Sequence, residues 1–172
     1  FHFPVAMTDH SPATRSLRIA PADLHHPQDA RDFLALLDHY AEDPAGGGQA
    51  LPETTRARLV PQLAGRAGFL CLLARVGETP VGLANAFEGF STFAARPLLN
   101  LHDLVVHAHW RGQGIAHQLL EALAIEARAR GCCKLTLEVL EGKQRARRVY
   151  HQAGFVPYSL DPAYGEALLL QR

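Results

Sequence analysis

Residues 98–116 read LLNLHDLVVHAHWRGQGIA, an apolar run that passes into a glycine-spaced turn and then into helix-forming residues. Leu98–Val106 is rich in Leu and Val, as a buried strand requires. Gly112 and Gly114 leave the backbone bare, so several N–H groups can converge on an anion where a following helix adds its partial positive charge. A phosphate suits such a turn.

Downstream, the spacing predicts a helix from about Gly112 to Arg130, with Ile115, Leu119, Ala122, Leu123, Glu126 and Ala127 along one side and Gly131 closing it. Lys134–Leu140 alternates Leu135, Leu137 and Val139 against polar residues, which predicts a strand parallel to Leu98–Val106 across the helical crossover. Glu141–Ala153 is helical by pattern with Gly154 as its cap. Phe155–Leu160 and Glu166–Leu170 read as a last hairpin around Asp161-Pro162.

Upstream, Leu17 and Ile19 alternate with Arg18 as a short half-buried strand does. Phe33, Leu34, Leu36, Leu37 and Tyr40 recur at helical spacing between Gln28 and the breaker run AEDPAGGGQ. A second helical pattern starts at Pro52 and continues through Arg58 and Leu63, with Pro61 either kinking or ending it. Phe69–Arg75 and Val81 to about Phe93 read as antiparallel strands joined by a hairpin connection from Gly77 to Pro80.

The order β-α-α-β-β-β-α-β-α-β-β predicts one α/β domain over residues 17–172. Its mixed sheet would have about seven strands flanked by about four helices, antiparallel in its first half and parallel around the glycine turn. Residues 1–16 are expected to be a flexible or appended lead-in. A chain of 172 residues with 48% hydrophobic positions has enough apolar surface for one core. Its formal net charge of zero suggests neither nucleic acid nor an anionic membrane as a partner, and small-molecule chemistry fits better. FHFPVAM lacks the parts of a secretory signal, and no run approaches the ~18 apolar residues of a membrane helix, so the expected location is the cytoplasm. Cys71, Cys132 and Cys133 form neither a disulfide framework nor a zinc pattern.

Residue chemistry narrows the turn. A P-loop needs Lys and Ser or Thr after its second glycine, where this chain has Ile115 and Ala116. The dinucleotide fingerprint needs a third glycine at His117, and VHAHWR intervenes between strand and turn. An ordinary strand–turn–helix, with glycines for geometry alone, stays open on these residues.

The chain resembles the GCN5-related N-acetyltransferase (GNAT) superfamily over about Leu17–Leu170. Arg111, Gly112, Gln113, Gly114, Ile115 and Ala116 match its [Q/R]-x-x-G-x-[G/A] acetyl-CoA pyrophosphate loop, and Leu104, Val105 and Val106 match the strand edge that pairs with pantetheine. RARRVYHQAGF, Arg145–Phe155, matches the A-x-x-x-Y-x-x-x-G-F signature through Ala146, Tyr150, Gly154 and Phe155. Lys143 stands where the family usually has Asn. An ammonium only donates hydrogen bonds, so Lys143 would meet a CoA phosphate or solvent instead.

The resemblance implies a GNAT-like fold and acetyl-CoA as acyl donor. It also implies Tyr150 as the acid that protonates the departing thiolate, and a backbone N–H near Val106 that polarises the thioester carbonyl. Transfer to an amine also calls for a base, since only about one Lys-like amine in 10³ is neutral at pH 7. His102, Asp103 and Glu88 are the candidates, and strand alternation predicts opposite faces for His102 and Asp103. The histidines His107 and His109 lack the companions of a metal site, so no metal is expected. GFSTFAARPLLNLHDLVV is similar to the corresponding strands of diamine and thialysine acetyltransferases. A small amine or amino acid is therefore the expected acceptor, reached by direct attack in a ternary complex, and a homodimer the expected assembly. A protein N-terminus or lysine acceptor, and a non-catalytic acyl-CoA-binding or sensor domain, are the alternatives.

Overall fold

The computed structural model describes residues 16–159 together with 161, 163, 165 and 170. Its elements are β1 (Leu17–Pro21), α1 (Pro27–Glu42), α2 (Glu53–Ala64), β2 (Phe69–Val76), β3 (Thr79–Ser91), β4 (Arg96–Val106), a 3₁₀ turn (Ala108–Trp110), α3 (Ile115–Ala129), β5 (Leu135–Leu137) and α4 (Gln144–Gln152). The class is the expected α/β one. Five strands lie in one sheet in the order β1-β2-β3-β4-β5, antiparallel through β4 and parallel from β4 to β5. Seven had been expected. Phe155–Ser159 carries no strand, and the remainder of the expected last hairpin, at residue 160 and residues 166–169, lies outside the described residues.

Two apolar clusters sandwich the sheet. Leu99, Leu101, Leu119 and Leu123 belong to the one beneath α3. Phe33, Leu36, Cys71, Leu83 and Val105 belong to the other, beneath α1. Each fully buried Leu or Phe contributes about 1.5–3 kcal/mol by leaving water. Gly82 on β3 sets the spacing on the α3 side: a Cβ there would stand 2.8 Å from the Val105 carbonyl and 3.2 Å from Leu119 Cδ1. That bare position lets the start of α3 sit close to the end of β4.

Helix α2 continues through Pro61 to Ala64, and none of its residues is buried. An interior proline costs a helix about 3 kcal/mol or more, so the contacts α1 makes with α2 and the cover of Leu59, Val60 and Leu63 over the α1 cluster must offset it.

Strand β4 parts from β5 early. The pair is in register only at Leu99–Leu135, Asn100–Thr136 and Leu101–Leu137. Beyond Leu101 the two strands part, and among the described residues the rest of β4 has its β3 neighbour on one side only.

Candidate active site

A β-bulge begins the divergent half of β4. Asn85 pairs with Asp103 but Ala86 pairs with Leu101, so His102 is an extra residue opposite β3. Two residues on the bulged strand then face one on its partner, and alternation shifts by one position. The expectation that His102 and Asp103 point to opposite faces is corrected by this bulge. The His102 ring meets Phe87 edge to face at 4.8 Å, and Phe87 in turn lies 5.2 Å from Phe69 in the α1 cluster. Asp103 Oδ2 accepts a 3.0 Å hydrogen bond from Asn85 Nδ2, and Asn85 stands opposite Cys71 of that same cluster. Both side chains are therefore on the face that α1 covers.

The bulge also fixes which backbone groups look outward. His107 N–H donates to Val81 O on β3 at 2.9 Å. Counting back by two, Val105 faces β3 as well, so Leu104 and Val106 turn their N–H and C=O groups to the side that β5 has left. This edge lines a cleft of about 800 Å³.

At one end of the cleft is the glycine turn. Gly112 and Gly114 have φ of 80° and 78°, and nothing lies within 4 Å of a Cβ built on either. Gly114 caps α3 with no side-chain hydrogen bond, so the first N–H groups of the helix remain directed outward for an anion. Open space above glycine backbone at a helix N-terminus fits a pyrophosphate. Leu104, Val105, Val106, Arg111, Gly112 and Gly114 border the cleft, as do Ile115, Ala116, Lys143 and Tyr150. Gln113 lies in the turn itself but not on the cleft wall.

Tyr150 enters from α4. Burial pushes its phenol up to about 12, with the nearby Tyr40 and Asp103 adding to the shift. It keeps its proton throughout the neutral range. Glu88, by contrast, is not brought to this place. It pairs with Leu99, on the α3 face, and its carboxylate lies 3.9 Å from Arg130 just beyond the end of α3.

The last turn of α1 supplies a wall that sequence reasoning missed. His39 Nε2 accepts a hydrogen bond from Ala108 N–H at 3.0 Å, and its ring stacks on His107 at 4.1 Å. Burial, with His39, His109 and Arg111 nearby, holds the His107 pKa below that of a free imidazole. Asp43 Oδ2 accepts from Arg111 Nη2 at 2.8 Å, while Arg111 Nε donates to Val106 O at 3.1 Å. The Ala45 N–H and Arg111 keep the Asp43 carboxyl below the usual carboxylate range. Lys143, at the N-cap of α4, donates to Tyr40 Oη at 3.2 Å. Tyr40 had read only as a core position of an amphipathic helix, and nothing in the chain marks its partner 103 residues away.

The cysteines are elsewhere. Cys71 is buried in the sheet, where desolvation drives its thiol pKa far up. Cys132 and Cys133 follow α3 at the end opposite the glycine turn, about 22 Å away along a helix of this length. Among the described residues no group of three His, Cys, Asp or Glu side chains is placed to hold a metal ion. No helix among them is long and apolar enough to cross a membrane.

The profile of the acetyltransferase (GNAT) family matches residues 32–155. An N-acetyltransferase of Bacillus subtilis, YycN, itself described as uncharacterized, is 32% identical over 145 residues, covering 75% of this chain and 89% of that protein. The thialysine N-epsilon-acetyltransferase of Bos taurus is 32% identical over 94 residues, covering 50% of this chain and 55% of that enzyme. This chain thus spans only about half the length of that enzyme. Among solved structures, the aminoglycoside N-acetyltransferase AAC(6')-Iy in complex with CoA superposes with a TM-score of 0.73, covering 94% of this chain and 97% of the other at 15% identity. That likeness is one of fold. The family match spans β4, the glycine turn and Tyr150 alike, and covers well over half of the sequence. The chain belongs to the acetyltransferase (GNAT) family and is an acetyltransferase.

Proposed function

We propose that the chain moves an acetyl group from acetyl-CoA to the primary amine of a small amine or amino acid, by direct attack in a ternary complex. The observation that carries this reading is one cleft that joins the open glycine turn, the unpaired edge of β4 and the buried phenol of Tyr150. Acetyl-CoA supplies an activated thioester and a thiolate leaving group. The α3 N-terminus with Gly112 and Gly114 holds the pyrophosphate, and the N–H groups of Leu104 and Val106 are available to the pantetheine arm and the thioester carbonyl. Such preorganised donors are worth roughly 3–4 kcal/mol to a developing oxyanion.

The acceptor side is the α1 face of the bulge. Asp103, steadied by Asn85, holds the incoming ammonium, and His102 beside it takes the proton, directly or through water. Neutralising a Lys-like amine at pH 7 costs roughly 4–5 kcal/mol, which is the work the base shares. The amine nitrogen then bonds to the acetyl carbon, the carbon–sulfur bond breaks, the nitrogen sheds its second proton to solvent to become the amide, and Tyr150 gives its proton to sulfur and regains one from solvent. The distance of Cys132 and Cys133 from the turn, and the burial of Cys71, support direct attack over a cysteine acyl-enzyme. The thialysine relative supports an amino acid with a distal amine as acceptor.

The test is CoA release from acetyl-CoA across a panel of diamines, ω-amino acids and lysine peptides, with Asp103→Asn in parallel. A small amine should give the highest kcat/KM, and Asp103→Asn should raise its KM about tenfold or more, the order of one lost charged hydrogen bond. Turnover confined to peptides would overturn the small-amine reading.

A further inference from the structure

The end of α1 is tied to the cleft at three points: His39 to the Ala108 N–H, Asp43 to Arg111, and Tyr40 to Lys143. Of these three ties, the one at Tyr40 reaches from α1 to the N-cap of α4 across the β4–β5 gap. Its ring packs on the cluster that contains Val105, and its hydroxyl accepts from the Lys143 ammonium, which also lies 5.7 Å from the ring centre. A phenol held at both ends cannot swing away to enlarge the cleft without losing both contacts. We infer that Tyr40, held by Lys143, is the specificity-determining wall that limits the acyl group to a short chain.

This inference rests on the acetyl-transfer reading of the cleft. With sulfur beside Tyr150 and the carbonyl oxygen on the Leu104–Val106 edge, the acyl chain extends toward the α1 face. Tyr40 borders the cleft there together with Val105. Lys143 is then a positioning residue, acting through Tyr40.

Kinetics and calorimetric binding with acetyl-, propionyl- and butyryl-CoA test this, using one amine acceptor throughout. Each methylene fitted or refused by an apolar wall changes discrimination about 10- to 200-fold. Tyr40→Ala should therefore raise the butyryl-to-acetyl ratio of kcat/KM about tenfold or more. Tyr40→Phe and Lys143→Met keep the wall but release it, and should each raise the ratio about threefold; they carry the test if Tyr40→Ala does not fold. A ratio within about twofold of wild type in every folded variant overturns the inference while leaving acetyl transfer standing. Failure of the wild-type chain to bind acetyl-CoA overturns both.

Discussion

Replacing Tyr150 by Phe removes one hydroxyl and keeps the ring that packs 6.0 Å from Phe155, so its effect isolates the proton. The phenol is held near a pKa of about 12, chiefly by burial. At pH 10 a free tyrosine is half ionised, whereas a group with that pKa is about 1% ionised. The wild-type rate should therefore show no falling limb from Tyr150 anywhere between pH 7 and about pH 11. A proton that is always present is also held tightly, which places the acid at the weaker end of the usual 10²- to 10⁴-fold contribution. Tyr150→Phe should lower kcat about 10²-fold, by a constant factor across pH, with acetyl-CoA affinity little changed. The assay is chromatographic measurement of CoA at saturating acetyl-CoA and amine, corrected for thioester hydrolysis at each pH. A wild-type rate that falls with a midpoint near pH 10, and a variant that lacks this fall, would refute the buried-phenol argument. A variant within about threefold of wild type would refute the acid role itself.

Gly114→Ala forces a side chain onto a backbone with φ of 78°, which costs about 1–2 kcal/mol of stability. Because its Cβ meets nothing within 4 Å in the fold, the protein should still melt cooperatively while acetyl-CoA binding measured by calorimetry weakens about tenfold or more; unchanged affinity would remove the turn as the pyrophosphate site. Arg75→Met should destabilise the fold by about 3–5 kcal/mol in urea unfolding, since Arg75 Nε donates to Asp32 at 2.7 Å and Nη2 to Asp29 at 2.7 Å, and Asp32 is only 4% exposed. A loss below about 1 kcal/mol would mean that solvent replaces the guanidinium.

The β4–turn–α3–β5 unit was legible because its signals are short in range. An apolar run in Leu98–Val106, two glycines two residues apart and a helical stripe from Ile115 each arise from neighbours within a turn or two. Gly131 and Gly154, read as helix ends, both have positive φ, and the N–H of Phe155 closes α4 on the Tyr150 carbonyl at 3.0 Å. Pro61 was ambiguous for the converse reason. Whether a helix survives an internal proline depends on what packs against it, and α1 and the cluster beneath it decided that here.

The bulge at His102 shows in LHDLVV only as two polar residues side by side, a break in alternation that any half-exposed strand can carry. Only the pairing with β3 shows that two residues oppose one, and this puts His102 and Asp103 on one face. Tyr40 and Asp43 were likewise invisible as site residues, since their partners are 103 and 68 positions away.

By itself the sequence determined the glycine turn, the strand that leads to it, the helix that leaves it and the tyrosine on the next helix, because backbone preference and capping act within a few residues. Only the tertiary structure decided the shape of the cleft: the parting of β4 from β5 after Leu101, the shared face of His102 and Asp103, and the α1 wall. Those features arise where sheet register and the packing of two faces bring distant residues together, and no local preference encodes such a distance.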